Sequence, residues 1–301
     1  MNKSVIKKLA PFLVISAGIM WGSMGLFVRP LNQKGLGALN IVALRSFVTV
    51  IVMGAILLIF DRKSLKIKLK DIWCFVGTGI CSIVFFNYCY FRTISEISLS
   101  AAAVLLYTAP AIVMVLSLFL FKEKISFIKL LALAFTIIGC VFVTGIIGSK
   151  ESMSPWGILI GLGAGFGYAL YSIFGRYAIN KGYSPMAISF YTFLCASIGI
   201  IPLTDFSAIG KVVFASAPDF GFSVLMSIIT TVAPYLTYTL GLKYTENTQA
   251  AILASVEPLV ATIFGILVYD EKLTVMPFMG MALVLSAVVM CNLKPGKEKF
   301  K

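Results

Sequence analysis

The chain has no histidine and only 12 acidic residues among its 301. Without histidine, the commonest metal ligand and general base is missing. Cysteines stand at 74, 81, 89, 140, 195 and 291, and no two form a CxxC pair. Each lies in an apolar stretch and reads as a small buried hydrophobe rather than a bridge or a ligand. Nothing resembles a phosphate-binding loop, because Gly157, Gly161, Gly163, Gly165 and Gly167 fall within one apolar run and read as a helix-packing surface. No metal or cofactor is expected, and ATP is excluded as a direct energy source. Charged residues are also scarce, at 12% of the chain against about 25% in soluble domains.

What is present is hydrophobic surface, 59% of the residues. One water-soluble core cannot hide that much, so the solvent for most of it is lipid. A bilayer core about 30 Å thick needs about 20 apolar residues in a helix. About ten such runs can be marked: Ala10–Val28, Leu36–Phe60, Ile72–Phe91, Ile97–Phe121, Ile125–Ile147, Pro155–Phe174, Ser184–Leu203, Phe220–Leu242, Thr248–Val268 and Leu273–Leu293. They are continuous and about twice the length of a barrel strand, which excludes a β-barrel. The basic N-terminus with its first apolar run looks like a signal peptide, but nine further runs follow, and it reads as a retained first helix. Thr204 to Asp219 holds Ile209, Val212, Val213 and Phe214, which predict a short helix at the interface.

The net charge of +13 does not imply nucleic acid, because the basic residues sit in short gaps between runs. With the N-terminus inside, 18 of the 25 Lys and Arg fall on the inner side, including the Lys66, Lys68 and Lys70 loop. That asymmetry predicts a multi-pass protein of the cell membrane with both termini cytoplasmic. A monomer and a homodimer fit the pattern equally.

The sequence also repeats itself at a shift of about 148. Lys122-Glu123-Lys124-Ile125-Ser126 falls on Asp270-Glu271-Lys272-Leu273-Thr274, Pro110 on Pro258 and Tyr90 on Tyr238. With one small gap, Trp21 falls on Tyr168 and Arg29 on Arg176. Each copy, 10–147 and 155–293, holds five runs. An odd number forces the second copy to enter from the opposite side, giving two inverted five-helix repeats around a central cavity. This architecture is typical of secondary transporters working by alternating access.

These residues resemble the EamA-type branch of the drug/metabolite transporter superfamily. They are Trp21-Gly22, Arg45, Tyr90, Pro110, the Lys-Glu-Lys turn, Tyr238, Glu257-Pro258 and the Asp-Glu-Lys turn. The resemblance implies a ten-helix bundle, a cavity lined by runs one, three, four, six, eight and nine, and export of amino acids or other metabolites. The chain departs from the small multidrug exporters, which rely on a first-run Glu absent here. It also lacks the late-run basic residues of nucleotide-sugar and sugar-phosphate carriers.

Glu257 is the single acid deep in an apolar run. An ionised side chain there costs at least about 2.5–3.5 kcal/mol, so it must be protonated, paired or wet. It reads as a proton-coupling or substrate-amine site, or as a structural partner of Arg45. Arg45 in turn reads as a contact for a carboxylate or phosphate, as that structural partner, or as a side chain reaching outward. Together the two would suit a zwitterion such as an amino acid. Pro110 and Pro258 each free a carbonyl, of Leu106 and Ala254, at matching places in the two copies. They mark either the transport site or packing kinks. Trp21, Asn87, Tyr90, Tyr107, Tyr168 and Tyr238 are the candidate cavity lining, with interhelix hydrogen bonding as the alternative. The expected function is secondary transport of a small metabolite, with or without protons. A membrane-embedded enzyme or a channel is the alternative, disfavoured by the absence of a nucleophile with a base and of a metal cluster.

Overall fold

The computed structural model describes residues 3–144, 146–147, 154–270 and 275–293, without the side chains at 3, 4, 292 and 293. Of the residues singled out above, Lys150, Glu271, Lys272, Leu273, Thr274 and the basic residues from Lys294 onward lie outside this set.

In lipid every backbone N–H and C=O must find its partner within the chain, which leaves helices as the solution for uninterrupted apolar runs. Ten helices follow: α1 (Val5–Gln33), α2 (Ala38–Phe60), α3 (Leu69–Glu96), α4 (Leu99–Phe121), α5 (Phe127–Val143), α6 (Pro155–Asn180), α7 (Pro185–Leu203), α8 (Ala217–Leu242), α9 (Asn247–Tyr269) and α10 (Val275–Leu293). No strand occurs among the described residues. Their starts are written locally. Ser98, Ser126, Ser154, Ser184 and Ser216 each accept a hydrogen bond from the N–H three residues on, satisfying one of the donors a helix start leaves open.

Phe12, Ile51, Ile59, Phe119, Phe127 and Leu267 point outward, as suits a lipid-facing wall. Cys81 is exposed too, which corrects the reading of every cysteine as buried. It sits with Ile80 on the outer face of a π-helical stretch, Gly77–Val84, whose other residues are buried. The expected short helix spans Phe206–Val213. Val212 and Val213 bury it against Leu31, Leu36, Leu44 and Met226, so it is docked onto α1, α2 and α8.

The main packing partners of the helices come from the opposite repeat. α1 packs on α8 and α3 on α6, which are equivalent pairings, as are α1 on α9 and α6 on α4, while α2 packs on α7 and α5 on α10. The two copies therefore interlock around one pseudo-two-fold axis. Backbone detail repeats with them. Lys122 (φ 55°) and Asp270 (φ 53°) both end a helix in the left-handed conformation, and Gly35 (φ 88°) and Gly182 (φ 90°) do so at the turns after α1 and α6. π-helical stretches interrupt α3 at Gly77–Val84 and α8 at Ile228–Val232. α4 and α9 both break mid-way, at Tyr107–Thr108 and Ser255–Val256.

Candidate functional site

Those two breaks are where the prolines act. Pro110 and Pro258 sit in the first turn of the half-helices Ala109–Phe121 and Glu257–Tyr269, where a missing N–H costs nothing. Glycines on the facing helices let the chain approach. A Cβ built on Gly18 of α1 would lie 2.7 Å from the Ala254 carbonyl oxygen, and one on Gly165 of α6 would lie 2.8 Å from that of Leu105. Any side chain at either position would collide with backbone. Three further glycines of α6 pack closely: Gly157 meets Ile97, Gly161 meets Leu105 and Gly167 meets Phe85.

Two small adjoining cavities lie between the repeats. One, at the broken helices, is lined by Tyr107, Pro110, Tyr168, Ser172, Tyr238, Ser255 and Glu257 among others. The second is lined by Trp21, Ser82, Ile83, Phe86, Tyr171 and Tyr235, and shares Tyr168, Ser172 and Tyr238 with the first. The dividing wall is therefore built from α6 and α8. The Tyr168 hydroxyl donates to Glu257 Oε2 at 3.2 Å. Tyr238 and Ser172 share a 2.7 Å hydrogen bond, and Tyr171 and Thr239 one of 2.6 Å. Trp21 stands edge-on to Tyr235, with ring centres 5.1 Å apart, and tilted over Tyr238 at 5.4 Å. A carboxylate, several hydroxyls and a rigid aromatic wall are thus gathered between the repeats.

The sequence candidates divide. Trp21, Tyr107, Tyr168, Tyr238, Pro110 and Glu257 line the cavities. Pro258 is buried beside Glu257. Asn87 lines neither cavity; its amide donates to the Ile83 carbonyl one turn back, at 2.7 Å. Tyr90 is half-buried and lies against Phe86. Arg45 is buried and forms no ion pair with Glu257. One guanidinium nitrogen donates to the Met24 sulfur at 3.0 Å, and Nε has no partner. Sequence reading missed Tyr171, Tyr235 and Ser172. A signal existed: Tyr171 follows Tyr168, and Tyr235 precedes Tyr238, by three residues, the spacing of one helix face.

A second polar cluster closes one end of the bundle. Arg176 Nε donates to Asn247 Oδ1 at 2.7 Å, and its Nη2 donates to the Thr245 carbonyl. Asn247 Nδ2 reaches Ser117 Oγ at 3.1 Å. The Glu123 carboxylate accepts from the N–H of Asn247 (2.7 Å) and the hydroxyl of Thr248 (2.8 Å), capping α9. Lys129 and Glu246 form an ion pair beside them. This network ties α4, α6 and α9 together below the cavities.

A bundle of inverted repeats enclosing a polar cavity at paired helix breaks defines a membrane transport protein. The chain belongs to the EamA-like transporter family, whose model matches residues 8–145 and again 155–293. An uncharacterized transporter of Archaeoglobus fulgidus is 26% identical over 92% of this chain and 93% of its own length. The uncharacterized transporter YwfM of Bacillus subtilis is 24% identical over 95% of this chain and 94% of its own. A crystal structure titled only as that of a protein shares the fold, with a TM-score of 0.76 at 16% identity, covering 94% of this chain and 96% of that one.

Proposed function

We propose that the protein is a secondary transporter of the cell membrane, with both termini cytoplasmic, carrying a small zwitterionic metabolite such as an amino acid by alternating access. The observation that carries this reading is Glu257. It is an acid deep in an apolar helix, at the first position of a half-helix, facing a cavity between the repeats and held by the Tyr168 hydroxyl. A carboxylate so placed can take a proton or a substrate ammonium, and either changes the electrostatic cost of moving the site between the two sides of the membrane. The half-helix start at Glu257 favours the ionised form through its dipole, and burial opposes it. Such a balance allows occupancy to decide the protonation state. Domain-like repeats over 10–147 and 155–293 supply the two exchangeable packings that alternating access needs.

The test is purified protein in liposomes under an imposed substrate or pH gradient, with internal pH recorded and an amino-acid panel supplied outside. Accumulation without ATP is expected. A strict ATP requirement would remove the reading. Reporter fusions at Ser207 and Lys301 test orientation: a cytoplasmic reporter active at Ser207 would overturn it.

A further inference from the structure

Arg45 is the feature that the reading above leaves without a task. It is 6% exposed, its Nε has no partner and no acid pairs with it. A buried guanidinium normally has an anion. Its one side-chain hydrogen bond is to Met24, and Met24 lies at a break in α1. Ser23 and Met24 leave the helix, which restarts as the nine-residue half-helix Gly25–Gln33. At that restart Leu26 N–H turns back to Ser23, and Phe27 and Val28 N–H turn back to Met24.

The place is also open. A Cβ built on Gly25 would meet nothing within 4 Å. Gly25 lies three residues past Gly22, whose built Cβ would strike the Glu257 carbonyl oxygen at 2.6 Å, so it continues the face that meets α9. In the other repeat the equivalent position is Ser172, a wall of both cavities. α6 runs unbroken there, so the broken turn and its guanidinium belong to the first repeat alone.

We propose that Arg45 and the start of the half-helix Gly25–Gln33 form a carboxylate-binding subsite, the anionic end of a two-ended site whose cationic end is taken by Glu257. The inference rests on the reading of the cavity as the transport site and names the group that α1 recognises. A carboxylate oxygen can accept from the unpartnered Arg45 Nε–H, and the positive end of the half-helix dipole favours an anion beside it. The aromatic wall of Trp21, Tyr235 and Phe86 suits an apolar substituent between the two ends. Electrostatically, Arg45 and the helix start set a positive potential that a substrate monoanion neutralises. Met24, a soft and weak acceptor, holds the guanidinium in place without competing for it.

The experiment uses 3-phenylpropanoate, L-phenylalanine, phenethylamine and chloride as probes on the full-length protein in detergent. The chain has three tryptophans, and Trp73 and Trp156 are exposed on the outer wall. Replacing these two by phenylalanine leaves Trp21, one turn before Gly25, as the reporter. The expected result is a saturable change of Trp21 fluorescence with 3-phenylpropanoate and L-phenylalanine. Arg45→Gln should weaken both by about tenfold or more, the loss expected for a charge-assisted hydrogen bond. Gly25→Leu keeps the charge, has room for its side chain and fills the subsite, so it should weaken both if Arg45→Gln does not fold. Glu257→Gln should weaken L-phenylalanine and leave 3-phenylpropanoate unchanged. Equal carboxylate affinity in the parent and in whichever of the two variants folds would overturn the proposal, as would saturable binding of phenethylamine or chloride with none of either carboxylate. Uptake into liposomes is a separate readout. Binding through Arg45 without transport keeps the subsite and removes the transport reading. Carriage of phenethylamine untouched by Arg45→Gln does the reverse.

Discussion

The two repeats agree in their backbones and disagree in their polar side chains. The left-handed helix ends at Lys122 and Asp270, the π-helical stretches of α3 and α8 and the breaks of α4 and α9 are all paired. Even an ion pair is duplicated. Lys34 at the end of α1 joins Asp219 at the start of α8, and Lys181 after α6 joins Asp71 at the start of α3. The chemistry is not duplicated. Opposite Glu257 stands Ala109, opposite Tyr168 stands Trp21, and opposite Arg45, at the shift that aligns α1 with α6, stands Thr192, bonded to Thr78. What is shared is the helical framework. What is unshared gives the cavity its charge.

Moving or removing the unshared acid tests that division most strongly. Ala109→Glu places a second carboxyl at a position 2% exposed, packed against Tyr168 on the wall of the cavity that Glu257 already lines. It should cost at least about 2.5–3.5 kcal/mol and yield little folded protein, measured by size-exclusion recovery in detergent. Glu257→Gln keeps volume and should fold, while pH-driven accumulation falls to background and substrate exchange persists. Full gradient-driven transport by a stable Glu257→Gln protein would leave the acid as scaffold.

The shared close approach should respond alike in both copies. Gly18→Leu and Gly165→Leu each drive a side chain into a carbonyl that cannot retreat, at 2.7 and 2.8 Å from the Cβ alone. Overpacking of this kind costs about 1–3 kcal/mol, and rigid backbone on both sides puts these two at the upper end. Comparable losses in thermal stability are expected. A severe loss in one copy with tolerance in the other would show that the helix breaks are not equivalent.

How much of this was legible follows the solvent. Lipid demands about 20 apolar residues per crossing, so all ten helices could be read from runs alone. α6 outran its expected end at Phe174 because buried Arg176 looks like a boundary in sequence. The breaks in α4 and α9 carry a proline and were legible. The break in α1 carries none near Met24, and π-helical stretches have no residue signature, so neither was. Asn87 was expected in the cavity because an amide in lipid needs a partner; it finds one in the Ile83 carbonyl of its own helix. The network around Asn247 escaped notice because its members are scattered over Ser117, Glu123, Arg176 and Thr245, and only the fold collects them.

At the other end Arg29, the twin of Arg176, lies over the Tyr269 ring at 4.0 Å, and the Tyr269 hydroxyl donates to the Gly25 carbonyl at 3.3 Å. Arg176→Gln should strand Asn247 Oδ1 and the Thr245 carbonyl, costing about 1–3 kcal/mol. Tyr269→Leu removes an exposed cation–π contact worth about 0.5–1 kcal/mol and one long hydrogen bond. Melting in detergent, followed by tryptophan fluorescence, should rank Arg176→Gln clearly below Tyr269→Leu. The reverse order would place the tighter seal at the other end.

The smallest effect, and the sharpest symmetry test, concerns the duplicated ion pairs. Lys181 is partly exposed, and the Asp71 carboxylate, hydrogen-bonded at 2.6 Å, holds its pKa above the ordinary lysine range. A raised lysine pKa means the folded protein binds that proton more tightly than the unfolded chain does. The pair's contribution is therefore complete below the ordinary lysine pKa and is lost as pH rises through the folded value. Lys181→Met, Asp71→Asn and the double variant form one cycle; Lys34→Met, Asp219→Asn and their double form its twin. Both cycles should show coupling that shrinks with added salt through their partly exposed lysines, and the Lys181 cycle, whose Asp71 is buried, should lose it at strongly alkaline pH. Each pair ties a helix to the partner it already packs along, α1 to α8 and α6 to α3. Neither pair spans the α4–α9 contact where the two repeats break. Equal coupling would mean that the two pairs sit in equivalent surroundings at the two ends. Coupling confined to one cycle would mean that the ion pairs, too, distinguish the two ends, and that the scaffold is less symmetric than its backbone.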